Sequence, residues 1–365
     1  MASIYVTENQ SLLCAKPVFK TTKVNSLNQQ NLNTKIRVQD LITILEQFNH
    51  NNRDLFQAKR ADLYNTFFIP KSNGGLRRID APNPEISEAL KYLKATFETY
   101  FTTYAHDSAY AYVKGRCTVD AVKRHQSNQS KWFLKLDFTN FFGNSSYNFV
   151  VYALSKVFPF SEVLNNKAGK LALEQALELC FLNGSLPQGS PISPYLTNVM
   201  MIPTDYEIDE MLKRISSGKN RRFVYTRYAD DMLISCNDGF KTEKIENELN
   251  KILVWQKAPF GINPDKTRYG SSAGQNWNLG VMLNSDNQIT VGHQKKRQFK
   301  AMLDNYIRHH DNWELHDVQV LCGHLNYYHM IESDYIDHVI DTYNAKHKVD
   351  IRKMMHDDLS VASKI

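Results

Sequence analysis

The spacing of hydrophobic positions divides the first hundred residues into helical and strand-like segments. Residues 1–35 are rich in Asn, Gln, Ser and Thr and show weak periodicity, which predicts a loosely ordered N-terminal extension. The next segment has apolar side chains at helical spacing and predicts a helix in VQDLITILEQF. A strand, a glycine-containing turn and a second strand are predicted in FFIPKSNGGLRRIDAPNPE, followed by a helix in ISEALKYLKATFETYFTTYA.

The rest of the chain mixes the two periodicities. A short strand, apolar on both faces, is predicted in KWFLKLDFTNFF and ends at Asp137. In LPQGSPISP, side chains of the Ser190 to Pro194 segment are expected to cap a helix that begins near Ser193. A strand, a tight turn and a strand are predicted in YTRYADDMLISC, an amphipathic helix in DGFKTEKIENELNKILVWQKA and a strand pair in NWNLGVMLNSDNQITV, with helices from Gly292 onward. Without regular alternation of strands and helices, the predicted class is α+β.

Composition narrows the class of protein only a little. The 365 residues carry 44 Lys and Arg against 38 Asp and Glu, and the net charge of +6 is a mild bias towards polyanions. The five cysteines lie far apart without a C-x-x-C pair, which argues against a zinc site or a disulfide framework. The N-terminus lacks the pattern of a signal peptide, and no apolar run has the roughly 20 residues of a membrane span. We therefore expect a cytoplasmic protein with no membrane partner.

Two adjacent carboxylates, Asp230 and Asp231, stand between strand-forming runs. Adjacent anions repel each other, so a nearby positive charge must offset them. A divalent cation is the simplest such charge, and hard oxygen ligands suit Mg²⁺, with Mn²⁺ as a substitute. Asp137, at the end of another strand, is the strongest candidate for a third carboxylate. Two ions about 3.5–4 Å apart would suit in-line nucleotidyl transfer. The alternative is a solvated turn that binds no ion.

YADD, the upstream FLKLDFTNFF and the intervening LPQGSPISPYLTN together resemble the palm motifs of reverse transcriptases. In order and spacing they are similar to the bacterial lineage of retron, group II intron and phage-defence enzymes, over roughly residues 60–345. The resemblance implies a right-hand polymerase with fingers, a palm built on an antiparallel sheet, and a helical thumb. It divides the chain into an N-terminal extension (1–35), fingers with some palm (36–136), palm (137–285, with a fingers insertion around 145–185) and thumb (286–365).

The resemblance also implies roles for residues around the carboxylates. Asp137 and Asp230 would be the principal metal ligands, with Asp231 in support. Phe142 resembles the steric gate that excludes a ribose 2′-hydroxyl, and core packing is its alternative role. The basic residues that would grip the incoming triphosphate lie in the fingers hairpin, first Lys71 and Arg77 and then Arg78. An exposed basic hairpin is the alternative there.

Further roles follow from the same resemblance. Gln188 and Gly189 would pack against the nascent base pair, since glycine permits close backbone approach. Lys266 resembles the lysine that helps protonate pyrophosphate. A structural turn and an ordinary surface lysine are the alternatives.

Nucleic-acid contacts are implied at the YADD motif, in a primer grip and on the thumb. They are assigned to Tyr228, to Gly280 in WNLGVMLN, and to the basic thumb helix with Lys295, Lys296, Arg297 and Lys300. A solvated helix face is the alternative for the thumb residues.

Two elements depart from the retron pattern. An Asn-Ala-x-x-His element is replaced by DAVKRH at 120–125, and a Val-Thr-Gly element by ITVGHQ. These departures place the chain closest in character to stand-alone reverse transcriptases associated with phage defence. The resemblance implies a cognate non-coding RNA as template, a DNA primer and product, and deoxynucleoside triphosphates as substrates. An accessory defence protein and a second copy of the chain are further candidate partners.

Two other functions stay open at this point. The same palm could make untemplated or protein-primed DNA from a tyrosine or serine hydroxyl. A protein of another class, a non-catalytic scaffold that binds nucleic acid, would need no carboxylate cluster.

Overall fold

The structure is a computed structural model that describes residues 27–71, 74–102, 104–216, 221–272, 277–278 and 281–362. Its first helix is α1 (Leu27–Asn51), so the prediction of a loosely ordered extension is wrong for residues 27–35. The rest of that segment lies outside the described residues. Leu41 and Leu45 of α1 are fully buried, as their helical spacing predicts.

A hairpin and a long helix follow α1 and the short α2 (Arg53–Gln57). The antiparallel strands β1 (Tyr64–Pro70) and β2 (Leu76–Pro82) confirm the predicted hairpin. Beyond Tyr64 every residue of β1 is exposed, so neither face of the hairpin is covered over most of its length. The Asn83 side chain accepts a hydrogen bond from the backbone N–H of Ile86 and begins α3 (Pro84–Tyr100), which confirms the predicted helix.

Four antiparallel strands form the central sheet in the order β4–β5–β3–β6. They are β3 (Trp132–Asp137), β4 (Phe223–Tyr228), β5 (Asp231–Cys236) and β6 (Arg268–Ser271). The strands predicted in KWFLKLDFTNFF and YTRYADDMLISC are therefore confirmed. The register pairs Asp137 with Asp231, which brings the two motifs to the same end of the sheet.

In the described part of the chain, seven helices pack around this sheet, and all but α4 contribute to one core with it. They are α4 (Thr118–Ser127), α5 (Phe141–Asn144), α6 (Tyr147–Leu154), α7 (Phe160–Asn165), α8 (Lys167–Glu178), α9 (Ser193–Ser216) and α10 (Thr242–Trp255). The helices predicted from Ser193 and in DGFKTEKIENELNKILVWQKA are confirmed as α9 and α10. The core runs from α1 and α3 through α6–α9 to the inner face of the sheet and α10.

The C-terminal part has a second core of its own. The predicted strand pair proves to be three short strands, β7 (Trp277–Asn278), β8 (Val281–Leu283) and β9 (Ile289–Thr290). The helices predicted after Gly292 are α11 (His293–Arg308), α12 (Leu315–Ile331), α13 (Ser333–His347) and α14 (Ile351–Ala362). Phe299, Leu303 and Leu321 are among the buried residues of their core. A small cluster, with Val122, Phe133 and Val281 among its members, packs α4 and the central sheet against β8.

The described residues contain cysteines and long helices, and both bear on expectations from the sequence. Their four cysteines are all free thiols. None of the helices there combines the length and the apolar character that crossing a membrane requires.

Candidate active site

Three carboxylates lie where β3, β4 and β5 end or begin. Asp137 is the last residue of β3, and Asp231, its cross-strand partner, is the first of β5. Asp230 lies in the two-residue turn between β4 and β5, and its backbone carbonyl accepts a hydrogen bond from Phe138 N–H at 3.1 Å. The antiparallel register therefore joins residues that are remote in the sequence.

The charges of these carboxylates act on one another. Burial raises the pKa of Asp230, and the negative charges of Asp137 and Asp231 raise it further. Lys266 Nζ donates to both carboxylate oxygens of Asp137, at 2.9 and 3.0 Å. Lys135 Nζ lies 3.1 Å from Asp231 Oδ1. Among the described residues, each of the outer carboxylates thus has a lysine, whereas no ion pair is formed by Asp230.

The chemistry of these donors fits a divalent cation, because all three side chains offer hard carboxylate oxygens. In the described part of the chain no three Asp, Glu, His or Cys side chains already converge as a preformed metal site. Lys266 takes both oxygens of Asp137, so its ammonium group supplies the positive charge at this point.

A cleft of about 550 Å³ opens beside the carboxylates. Eight of the predicted site residues line it, namely Lys71, Arg77, Arg78, Asp137, Phe142, Gln188, Asp230 and Lys266. The hairpin formed by β1 and β2 supplies Lys71, Arg77 and Arg78, and the sheet end supplies Asp137 and Asp230. The cleft therefore brings basic and acidic side chains from separate elements to one place.

The Gln188–Gly189 loop is bound to the hairpin by its backbone. The Gln188 carbonyl accepts a hydrogen bond from Asp80 N–H at 2.7 Å. Gly189 has φ +121°, and a Cβ there would lie 2.8 Å from the Asp80 carbonyl oxygen. Glycine is therefore required at this position both by the backbone conformation and by the close approach. Asp80 also accepts from Arg78 Nε at 2.9 Å, so this arginine lines the cleft with part of its charge neutralised.

The two phenylalanines that follow Asn140 face different surroundings. Phe141 is buried and packs on Phe138 and Phe260, whereas Phe142 is partly buried and lines the cleft. Asn140 has φ +45°, a left-handed conformation that begins the turn of α5. Phe142 also packs against the edge of the core and against the Phe141 ring, at 5.7 Å between ring centroids, so it combines the predicted position in the cleft with part of its alternative role in packing.

The expected side-chain caps of α9 are absent from the structure. Within the described part of the chain, the buried hydroxyls of Ser190 and Ser193 have no hydrogen-bond partner. The helix still begins at Ser193, with Pro194 in its first turn, where the missing N–H of proline has no cost. The predicted helix start and the proline in its first turn are confirmed, whereas the predicted capping by the serine hydroxyls is wrong.

The predicted nucleic-acid contacts outside the cleft differ in their surroundings. Lys296 Nζ lies 2.6 Å from Glu332 Oε1 and 4.0 Å from the centre of the Tyr335 ring. Its positive charge is therefore paired with residues of the thumb itself. Burial lowers the pKa of Lys295. Arg297 and Lys300 are exposed on α11.

Two other predicted contacts lie near the sheet. Tyr228 is partly buried and pairs with Asp231 at the end of β4. Gly280 lies outside the described residues.

Sequence reasoning missed several residues around the turn. Arg227 and Asp205 form a fully buried ion pair directly behind Asp230. The sequence signal for this ion pair was an arginine within a strand of mostly apolar and aromatic residues. Tyr112, 49% exposed, has φ +59°, and burial together with the charge of Asp230 raises its pKa. His125 of the DAVKRH element is fully buried and joins α4 to the sheet through Ser235 and Thr226.

An antiparallel sheet with three carboxylates at one end, a basic hairpin across the cleft and a separate helical bundle together define a right-hand nucleic-acid polymerase. The family model of "Reverse transcriptase (RNA-dependent DNA polymerase)" matches residues 69–302. The chain therefore belongs to the reverse transcriptase family and is an RNA-directed DNA polymerase. Members of this family generally use divalent metal ions such as Mg²⁺.

The chain is similar to retron enzymes. It is 27% identical over 328 residues to the retron Ec83 reverse transcriptase of Escherichia coli, covering 86% of this chain and 97% of that enzyme. It is 24% identical over 297 residues to the retron Mx162 reverse transcriptase of Myxococcus xanthus, covering 76% of this chain and 59% of that enzyme. Apo telomerase from Candida tropicalis superposes with a TM-score of 0.46 at 11% identity, covering 82% of this chain and 57% of the telomerase chain. The predicted retron-like bacterial lineage is confirmed, despite the two departures from the retron pattern.

Proposed function

We propose that this reverse transcriptase joins deoxynucleotides in the cleft by two-metal nucleotidyl transfer, with Asp137 and Asp230 as the principal metal ligands and Asp231 in support. The observation that carries this proposal is the convergence of eight predicted residues around one cleft, among them two carboxylates and four basic side chains. When bound, the ions would supply the positive charge that activates a 3′-hydroxyl and stabilises the leaving pyrophosphate.

The remaining cleft residues bind and orient the substrates. Lys71 and Arg77 contact the triphosphate, with Arg78 second because Asp80 already binds its guanidinium. Gln188 and Gly189 pack against the nascent base pair, and Phe142 excludes a ribose 2′-hydroxyl. Lys266 holds a proton on Nζ, since the hydrogen bond to Asp137 raises its pKa. It is therefore placed to donate that proton to pyrophosphate.

Replacing one carboxylate tests the catalytic assignment. Asp230→Asn keeps the shape of the side chain and removes its charge, so nucleotide incorporation on a primed RNA template should fall to background. RNA binding, measured by fluorescence anisotropy, should stay within about twofold, because the thumb and the hairpin are unchanged. Incorporation at the wild-type rate would refute the assignment of Asp230.

We further propose that the template is a cognate non-coding RNA and that the enzyme acts in defence against phage in the bacterial cytoplasm. The similarity to enzymes named for retrons supports a dedicated RNA. Nucleic acid that co-purifies with the Asp230→Asn protein should be one RNA species, and with the wild-type protein the same RNA plus its complementary DNA. DNA that stays attached to the protein after denaturation would instead favour protein priming.

The biological role has a separate readout. Cells that carry the gene with its flanking sequence should reduce the plating efficiency of susceptible phages, and the Asp230→Asn version should lose that protection. Equal plating with both versions would remove the defence role without affecting the polymerase assignment.

A further inference from the structure

The turn that carries Asp230 is bound by a buried cation, the guanidinium group of Arg227. We infer that Arg227 is a positioning residue for the polymerase reaction, because its guanidinium fixes the backbone of this turn. The inference rests on the role proposed above for Asp230. Arg227 does not line the cleft, so it acts through the backbone and not on the substrate.

The guanidinium of Arg227 spans two elements. Its Nε and Nη2 donate to Asp205 of α9 at 2.9 and 2.8 Å, and both side chains are fully buried. Its Nη1 donates to the Ala229 carbonyl at 3.1 Å. Tyr225 donates its hydroxyl to the same Asp205 at 2.8 Å. Because Asp205 fixes two of the nitrogens, the third is aimed at the turn.

The turn needs such a partner. Ala229 has φ +57°, a left-handed conformation that costs a residue with a Cβ energy, and it is buried. Its carbonyl belongs to the peptide group that leads into Asp230. A hydrogen bond from Arg227 satisfies this carbonyl away from water and fixes the plane of that peptide. The direction in which Asp230 leaves the backbone is thereby set.

The backbone of Arg227 adds a second constraint. Its N–H donates to the Ser108 carbonyl at 2.7 Å, and its carbonyl accepts from Tyr110 N–H at 2.8 Å. Asn198 of α9 donates to the Ala111 carbonyl at 2.8 Å. Arg227 Nη2 in turn donates to Asn198 Oδ1 at 3.4 Å, so the segment 108–111 is held by the same group of residues that holds the turn.

Two conservative variants separate positioning from simple stability. Arg227→Lys keeps a positive charge for Asp205, but its single nitrogen cannot also reach Ala229. Tyr225→Phe removes another donor to Asp205 and leaves the turn untouched. We expect kcat to fall about tenfold or more in Arg227→Lys, with KM for deoxynucleotide within about threefold. Tyr225→Phe should keep wild-type kcat at a similar loss of thermal stability.

A third variant controls for misfolding. Arg227→Met with Asp205→Leu and Tyr225→Phe replaces the charged group by apolar side chains, a change that folded proteins often accept. It should unfold near the wild-type temperature yet keep the low kcat of Arg227→Lys. Wild-type kcat in this folded variant would overturn the inference, and so would equal losses of kcat in Arg227→Lys and Tyr225→Phe.

The outcome for Asp230→Asn separates this inference from the proposed function. If Asp230→Asn is inactive while Arg227→Lys keeps its kcat, only the positioning role of Arg227 fails. If Asp230→Asn stays active, the proposed function fails, whatever the Arg227 variants do.

Discussion

Gly189→Ala tests the contact between the base-pair loop and the fingers hairpin. Gly189 has φ +121°, where a residue with a Cβ is disfavoured by about 1–2 kcal/mol. The added Cβ would also lie 2.8 Å from the Asp80 carbonyl oxygen, a backbone atom that cannot rotate away. To relieve this overlap the loop must move off β2, which breaks the 2.7 Å hydrogen bond from Asp80 N–H to the Gln188 carbonyl. That bond contributes about 1 kcal/mol.

A total of about 2–3 kcal/mol lowers the ratio of docked to undocked loop by roughly 30–150-fold. The docked population falls by at most this factor, so we expect kcat/KM for deoxynucleotide incorporation by Gly189→Ala to fall by up to about that factor. The assay is single-nucleotide extension of a primed RNA template under steady-state conditions. Thermal unfolding, measured on the same preparations, shows whether the protein is still folded.

Gly184→Ala is the matched control for this substitution. Gly184 also has positive φ, at +79°, but a Cβ there meets nothing within 4 Å. This variant carries the conformational cost without the overlap, so it should lose some stability and retain most of its kcat/KM. The same loss of kcat/KM in both variants would refute the reasoning, because it would show that the close approach to Asp80 is irrelevant.

Three further predictions concern single side chains. Phe142→Ala should raise ribonucleotide incorporation relative to deoxynucleotide incorporation about tenfold or more, and Phe142→Tyr, which keeps the ring, should not; an unchanged ratio in both would remove the gate role. Asp230→Asn should raise the unfolding midpoint in metal-free buffer by about 2–4 °C, because it removes the repulsion from Asp137 and Asp231, and a lower midpoint would contradict this. Burial lowers the pKa of His125 to about 3 in the folded protein. Below about pH 6.5 the His125 imidazole therefore becomes protonated in the unfolded chain but stays neutral in the folded one. This histidine should therefore lower the free energy of unfolding by about 2 kcal/mol between pH 8 and pH 5. In denaturant unfolding, the His125→Gln variant should lack this contribution to the pH dependence.

The sequence predicted the elements around the site because their signals are local. The apolar runs before Asp137 and on both sides of Asp230 predict strands, and a pair of runs joined by two residues predicts a hairpin. What brings Asp137 next to Asp231 is strand register, and register depends on how the whole sheet packs. The strand ends suggested Asp137 as the third carboxylate and the resemblance to a family supported it, but periodicity alone does not give the register that pairs it with Asp231.

Sequence reasoning could not see which side chains meet when they lie far apart in the chain. Lys296 was assigned to nucleic acid from the charge of its helix, and the periodicity of that helix gives no sign of the ion pair with Glu332. Ser193 was expected to cap its helix, but its hydroxyl is buried where no described residue can bond to it. Arg227 in an apolar strand was passed over because its counter-ion, Asp205, comes from a different element.

Burial is the main cause of the raised pKa of Asp230, and the charges of Asp137 and Asp231 raise it further. Asp137 and Asp231 each have a lysine, whereas Asp230 has no such partner among the described residues. The Lys266–Asp137 pair is asymmetric, since the lysine side chain is 58% exposed and the carboxylate only 7%. If the lysine left alone, the buried carboxylate of Asp137 would remain unpaired beside Asp230 and Asp231, which is costly. We therefore propose that Lys266 leaves Asp137 only when another cation takes its place, and that its exposed ammonium group then contacts the phosphates of a nucleotide in the same cleft.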